Sequence, residues 1–116
     1  MKETYCLDVK DYAGRRCVFT DQQLALKSPR RPELREEGVL GRIREAVTQP
    51  SFVYADLEHS TRLAYYREEY RIDGRIRYMK VVLEARGAEF FIVTAYRPDY
   101  VKERGKTNLI YGTDNE

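Results

Sequence analysis

The sequence predicts an α+β domain in which an N-terminal hairpin and two helices pack on a C-terminal antiparallel β-meander. Apolar residues follow helical spacing at Leu40, Ile43 and Val47, whereas the later part of the chain alternates apolar and polar residues. Asp73-Gly74 is a typical hairpin turn within that later part. Helices gathered before a run of strands favour a sheet covered on one face. Because 116 residues suit a single core, we expect one domain over residues 1–116.

In the first half of the chain, strand signals give way to helix signals. Thr20 or Asp21 is suited to cap a short helix, and Pro29 ends it. Pro32 suits the first turn of a second helix, which Pro50 terminates. The expected elements are strands at 5–9 and 16–20, a helix at 22–27, a second helix from Pro32 to Gln49, and a short extended piece at 51–54.

In the second half, turn residues divide the chain into strands. Asp73-Gly74 and Arg86-Gly87 mark two tight turns, and Pro98 breaks the pattern after them. The expected strands are 63–72, 75–84 and 89–96, followed by a short edge strand at 108–111.

Composition and charge exclude several classes of function. The net charge is only +2, so binding of a polyanion would need local clustering of cations. Arginine outnumbers lysine by fifteen to six, which favours bidentate phosphate contacts, although a GC-rich genome or a thermophile gives the same bias. Cys6 and Cys17 with one histidine do not make a zinc site. Since no apolar run approaches the roughly 20 residues of a membrane span, and no signal peptide is apparent, we expect a cytoplasmic protein without a membrane partner.

The alternation of side chains assigns the meander two faces. We expect Met79, Val81 and Leu83 of the middle strand, with Phe91, Val93 and Ala95 of the last strand, to face the helices. The opposite, open face would then carry Tyr78, Lys80, Val82, Ile92, Thr94 and Tyr96. On the first strand the choice stays open between Tyr65 with Arg67 and Tyr66 with Tyr70.

An open face with a cation, a hydroxyl and aromatic rings suits a phosphodiester, and RNA in particular. The alternative for each residue is structural: a lysine on a sheet face is often only solvated, and tyrosine and threonine are common in strands. The prediction therefore depends on the coincidence of these side chains on one face.

Phe91–Tyr96, with Tyr78–Val82 before it, resembles the closing strands of the phage-type barnase, EndoU, colicin and RelE-like (BECR) ribonuclease superfamily. Upstream, Thr20–Gln23 and Arg30–Leu34 resemble the helical start of its phage-associated members. Glu45–Tyr54 is similar to their helix-to-strand junction. The resemblance spans most of the chain from residue 20 to residue 96.

The resemblance implies a metal-independent endoribonuclease without a cofactor, of a toxin or phage-associated type. Such an enzyme holds an RNA phosphodiester while the neighbouring 2′-hydroxyl attacks it, and it leaves a 2′,3′-cyclic phosphate. The reaction needs a base, an acid and cations around the developing charge. The catalytic residues that it implies are Lys80, Thr94, Arg31 and Arg67. The residues expected to bind RNA beside them are Arg30, Tyr65, Tyr66, Tyr78, Tyr96 and Arg97.

The chain departs from these relatives where they often carry histidine, because Leu26 and Arg31 stand at those positions. The single histidine, His59, falls in a predicted loop. RelE-like relatives use Lys, Arg and Tyr in place of a histidine pair, so Arg31, Lys80 and a tyrosine are the corresponding set here. The resemblance also implies an antitoxin or immunity protein as a partner. A catalytically degenerate module that binds RNA or protein is the alternative.

Overall fold

The N-terminal hairpin and the first helix form as the sequence predicts. In the computed structural model, which describes residues 3–106 and 108–114, strands β1 (Tyr5–Lys10) and β2 (Arg16–Thr20) are antiparallel. The Asp11 Oδ1 atom accepts hydrogen bonds from the backbone N–H groups of Ala13 and Arg15, which closes the turn between them. Helix α1 (Asp21–Lys27) follows directly, capped by the Thr20 hydroxyl, which accepts from the Gln23 N–H at 3.0 Å.

The second predicted helix is split in two. A 3₁₀ helix at Pro32–Arg35 ends in extended backbone at Glu36, and helix α2 (Val39–Thr48) starts after it. Gly38 precedes α2 with φ of 76°, a left-handed conformation that glycine adopts readily. The prediction of one continuous helix from Pro32 was therefore wrong, because the backbone leaves the helical conformation at residues 36–38. The 7 and 10 residues of the α-helices in the described chain are too few to cross a membrane.

The C-terminal half forms the predicted meander and edge strand. Its strands are β3 (Phe52–Ala55), β4 (Arg62–Ile72), β5 (Arg75–Arg86), β6 (Glu89–Tyr96) and β7 (Leu109–Gly112). Asp73 and Gly74 both have positive φ angles, 51° and 76°, in the turn between β4 and β5. That combination matches the right-handed twist of a hairpin, so the turn prediction from Asp73-Gly74 is confirmed.

All seven strands belong to one sheet, in the order β1-β2-β6-β5-β4-β3-β7. The α+β class is confirmed, but the sheet is mixed, because β2 runs parallel to β6 through the pairs Cys17–Phe90 and Val18–Phe91. The hairpin extends the edge of the sheet, so the prediction that it packs on the meander was wrong. The physical reason is that β6 would otherwise expose a row of unpaired backbone groups, which β2 satisfies.

Side chains on the helix side of the sheet form the larger core. Ile43 and Val47 of α2 are fully buried there against Tyr65, Val81 and Leu83 of the meander. A second cluster covers the opposite side of the sheet. Its members are Phe52, Tyr54, Ala64, Tyr66, Tyr78 and Val101. Since Val101 lies after β6, the side of the sheet predicted to be open is partly covered by the chain that follows that strand.

A β-bulge changes the two faces of β6. Val82 pairs with Thr94 and Leu83 pairs with Ile92, so Val93 has no partner on β5. Ile92 therefore joins the helix-side core with Ala95, while Phe91 lies opposite Glu84 on the other face. The predicted faces are correct for Ala95, Thr94 and Tyr96 but wrong for Phe91 and Ile92.

Candidate functional site

A cavity of about 480 Å³ lies between the connector that precedes the 3₁₀ helix, strand β5 and the segment after β6. We call it the Lys80 cavity, and we call residues 97–106 the strap. The lining residues are Arg30, Arg31, Pro32, Glu33, Lys80, Tyr96, Arg97, Pro98, Asp99, Tyr100 and Lys102. Five of these side chains are cationic and two are carboxylates, so the cavity concentrates positive charge on a chain whose net charge is only +2.

Five of the predicted site residues meet in this cavity: Arg30, Arg31, Lys80, Tyr96 and Arg97. Lys80 and Tyr96 are directly opposite each other on β5 and β6, so their side chains share a face. The Arg31 guanidinium lies over the Tyr96 ring at 3.9 Å from its centre. This stacking holds Arg31 at the wall without using its hydrogen-bond donors. Neither Arg30 nor Arg31 has an ion pair within the described residues.

Lys80 is neutralised inside the fold. Only 6% of its side chain is exposed, and its Nζ atom lies 3.4 Å from Oε2 of Glu103, whose side chain is 1% exposed. The Tyr66 hydroxyl donates to the other carboxylate oxygen, Oε1, at 2.6 Å. Burial first, and then this hydrogen bond to the carboxylate, raise the pKa of Tyr66 well above its ordinary value. Lys80 therefore borders the cavity as part of a buried pair and is not an open, solvated cation as the sequence suggested.

Arg97 is also held by carboxylates. Its Nη1 atom donates to both oxygens of Glu36, at 2.8 and 2.9 Å, and its Nε atom donates to Glu69 at 2.8 Å. These bonds raise the pKa of Arg97, and the hydrogen bond from Arg97 lowers the pKa of Glu36 below its ordinary value. The Arg97 backbone N–H donates to Glu33 Oε2 at 2.9 Å. Arg97 thus fastens the start of the strap to the 3₁₀ helix, to Glu36 just after that helix and to β4, and its guanidinium is already occupied.

We expect the Arg97–Glu36 pair to make part of the stability acid-sensitive. A carboxylate with a lowered pKa stabilises the fold above its ordinary pKa of 4.5 and loses that contribution as pH falls through its folded pKa. Arg97→Gln should therefore lose stability at pH 7, and the difference from wild type should shrink at about pH 3. Because the Glu36 side chain is 38% exposed, the Arg97–Glu36 pair should contribute no more than about 1 kcal/mol to the free energy of unfolding.

Urea unfolding at the two pH values measures this effect. Arg44→Gln is the matched control, because Arg44 is exposed on α2 and no partner for its side chain lies within the described part of the chain. A difference between Arg97→Gln and wild type that stays the same at both pH values would contradict the assignment.

Four tyrosine and arginine residues predicted for the site lie outside the cavity. Tyr66 is fully buried beneath the strap. Tyr65 and Arg67 point to the helix side of β4, where Tyr65 is fully buried and Arg67 donates to the Gln49 carbonyl at 2.5 Å. Tyr78 is 7% exposed in the second cluster. The structure therefore does not bring these four side chains to the cavity surface with Arg31.

Thr94 shares the face of Lys80 but does not line the cavity. It is 9% exposed, and its hydroxyl is buried without a hydrogen-bond partner among the described residues. The register that places Thr94 opposite Val82 sets it farther along the strands than the Lys80–Tyr96 pair. A ligand in the cavity would meet Lys80 and Tyr96 before it met Thr94.

Six residues of the cavity were not singled out from the sequence as site residues: Pro32, Glu33, Pro98, Asp99, Tyr100 and Lys102. Glu33 supplies a carboxylate, Tyr100 an aromatic ring that is 73% exposed, and Lys102 a cation. The Lys102 ammonium pairs with Glu58 at 3.1 Å, and this partner raises its pKa. Tyr100 and Lys102 lie in an irregular segment without strand or helix periodicity, so no pattern pointed to their faces. The Pro32-Glu33 pair was part of the noted resemblance and could have drawn attention to Glu33.

The positions at which the resembled ribonucleases often carry histidine do not meet in this fold. Arg31 lines the Lys80 cavity, whereas Leu26 lines a different cavity with Phe91 and Arg86. His59 is exposed in the loop between β3 and β4 and does not border the Lys80 cavity. In residues 3–106 and 108–114, no three His, Cys, Asp or Glu side chains are grouped to hold a metal ion.

Comparison of the chain with protein-family models, with curated proteins and with solved structures found no match. The resemblance to the BECR ribonucleases therefore stays a prediction, and a function has to be inferred from the cavity itself.

Proposed function

We propose that the protein is a metal-independent endoribonuclease that binds an RNA phosphodiester in the Lys80 cavity. The observation that carries the proposal is that Arg30, Arg31 and Lys80, from two distant parts of the chain, line one cavity together with the carboxylate of Glu33. Planar guanidinium groups bind phosphate with two hydrogen bonds each. A carboxylate beside them supplies the proton acceptor that attack by a 2′-hydroxyl needs.

The proposed roles follow from the position and charge of each side chain. Glu33 takes the proton of the 2′-hydroxyl as the bond from the 2′-oxygen to phosphorus forms. Arg31, held over the Tyr96 ring, binds the phosphate oxygens on which negative charge develops. The bond from phosphorus to the 5′-oxygen breaks, and Lys102 supplies a proton to that oxygen. Lys102 is a protonated ammonium at neutral pH; its pairing with Glu58 raises its pKa, so the proton moves only as negative charge develops on the 5′-oxygen. DNA lacks the attacking hydroxyl and should not be cut.

Two substitutions test these roles. Glu33→Gln keeps an oxygen that can accept from the Arg97 N–H but removes the proton acceptor, so cleavage should fall by about 10²–10⁴-fold. Arg31→Gln removes the bidentate phosphate contact and should lower kcat/KM by about 10-fold or more. The measurement is cleavage of labelled single-stranded RNA in excess EDTA, with analysis of the product ends for cyclic phosphate.

The matched control for Arg31→Gln is Arg35→Gln, since Arg35 is exposed on the 3₁₀ helix that follows Arg31 and does not line the cavity. It should cleave as wild type does. Full activity of Glu33→Gln would contradict the role of Glu33 as the base. Loss of cleavage on addition of EDTA would contradict a metal-independent reaction.

The second candidate function is RNA binding without turnover. It is favoured by the pairing of Lys80 with Glu103 and of Arg97 with Glu36 and Glu69, which neutralises two cations of the cavity. With Lys80 and Arg97 neutralised, fewer cations stabilise the negative charge of the transition state, while Arg30 and Arg31 still attract phosphate. In the same assay, RNA that stays intact but is retained by wild type and released by Arg31→Gln would favour this function over cleavage.

A further inference from the structure

A second cationic cavity adjoins the first. It has a volume of about 300 Å³ and is lined by the start of β5 and by the strap, with Arg75, Arg77 and Arg104 as its cations. We call it the Arg75 cavity. Pro98, Asp99 and Tyr100 of the strap border both cavities. The two cavities are therefore neighbouring parts of one surface, separated only by this short piece of chain.

Each cavity has a pair of arginines available to a ligand. In the Lys80 cavity these are Arg30 and Arg31. In the Arg75 cavity, Arg75 is exposed and has no ion-pair partner among the residues that the structure describes. Arg77 reaches only Asp99, at 3.9 Å, and that aspartate side chain is 99% exposed, so the pair contributes little. Two arginine pairs thus flank the strap, one on each side.

Tyr100 lies between the two arginine pairs. It is the most exposed large side chain of apolar character among the described residues, at 73%, and its ring contacts no other ring or cation there. It lies in irregular backbone after Pro98, next to Val101, which is buried in the second cluster. An aromatic ring held at the surface beside cations is the arrangement on which unpaired bases stack.

We propose that the two cavities and Tyr100 form one continuous path for single-stranded RNA. A base stacks on Tyr100, and the phosphates on either side of it bind the two arginine pairs. This rests on the proposed function of the Lys80 cavity and extends it to a substrate class. Duplex RNA does not fit the path, because its bases are stacked on one another and cannot reach the ring.

Binding of fluorescent 2′-O-methyl oligonucleotides, which lack the attacking hydroxyl, tests the path without interference from cleavage. Tyr100→Ala should weaken binding of a single-stranded 12-mer about 5–150-fold, and Tyr100→Phe should restore it, because stacking needs the ring and not the hydroxyl. Tyr5→Ala is the matched control, since Tyr5 is 38% exposed on β1 and borders neither cavity. The double variant Arg75→Gln, Arg77→Gln should bind the 12-mer with a weaker dependence on salt. The slope of log affinity against log salt concentration should become less steep by about 0.7 for each phosphate that these arginines neutralise in wild type.

Ligand length and strandedness separate this inference from the proposed function. A trinucleotide that occupies only the Lys80 cavity should respond to Arg31→Gln but not to Arg75→Gln. A 12-mer that responds to Arg31→Gln and not to Tyr100→Ala would overturn the path and leave the Lys80 site intact. Wild-type protein that binds neither oligonucleotide would overturn both. If the protein bound duplex RNA or polyglutamate as tightly as the single-stranded 12-mer, the assignment to single-stranded RNA would be overturned.

Discussion

Glu103→Gln is expected to destabilise the protein by about 3–5 kcal/mol. The substitution leaves the Lys80 ammonium in a site with 6% exposure and without its counter-charge. The amide oxygen of Gln can still accept from Tyr66, so the loss of stability reports the charge and not the hydrogen bond. Urea unfolding at pH 7 measures the effect through the midpoint and the slope.

The control is the triple variant Lys80→Met, Glu103→Leu and Tyr66→Phe, which removes the ion pair together with the buried hydroxyl that donates to Glu103. Replacing a buried ion pair by apolar residues of similar volume is often neutral or stabilising, so this variant should unfold close to wild type. If Glu103→Gln unfolds within about 1 kcal/mol of wild type, water reaches Lys80 and the pair is not buried in solution. Lys80→Ala is a poor test of cleavage for the same reason, because it leaves the Glu103 carboxylate, which is 1% exposed, without its cation.

Asp11→Ala is expected to lower the free energy of unfolding by about 3 kcal/mol or more. The Asp11 side chain is fully buried and accepts from two backbone N–H groups of its turn, from Arg15 Nε at 2.9 Å and from the Tyr65 hydroxyl at 2.5 Å. Its removal leaves the buried Tyr65 hydroxyl without its carboxylate acceptor and opens the hairpin turn. The Tyr65 pKa lies above its ordinary value because of burial and this bond to Asp11, so the hydroxyl stays a donor at neutral pH.

Two further variants divide this cost between the turn and the tyrosine. Asp11→Asn keeps an oxygen for the turn N–H groups and should be less damaging than Asp11→Ala. Tyr65→Phe removes the hydroxyl that needs a partner, so Tyr65→Phe combined with Asp11→Ala should cost less than the sum of the single changes. Urea midpoints of the variants and of wild type give the comparison. Additive losses of stability would mean that Asp11 and Tyr65 do not share a bond in solution.

The candidate site was only partly predictable because its residues come from different levels of structure. Lys80 and Tyr96 were found together because strict alternation on neighbouring strands fixes which side chains share a face. Tyr65 and Arg67 were predicted to join them only because tyrosine and arginine suit an RNA site. The alternation of side chains along β4 places both on the helix side of the sheet. Glu103 was missed because it lies 23 residues from Lys80 in an irregular segment, and no local pattern relates the two.

The sequence by itself determined the elements with local causes. A positive-φ turn at Asp73-Gly74 fixed the β4–β5 hairpin, and the Thr20 hydroxyl fixed the start of α1. Only the tertiary structure decided which sheet edge the hairpin joins, that β6 bulges at Val93, and that the strap covers Lys80. These features arise from contacts between distant parts of the chain. Each of them stabilises the fold by giving a strand edge its hydrogen bonds or a buried charge its counter-charge. The two groups that pair lie far apart in the sequence, so no local stretch of residues contains both.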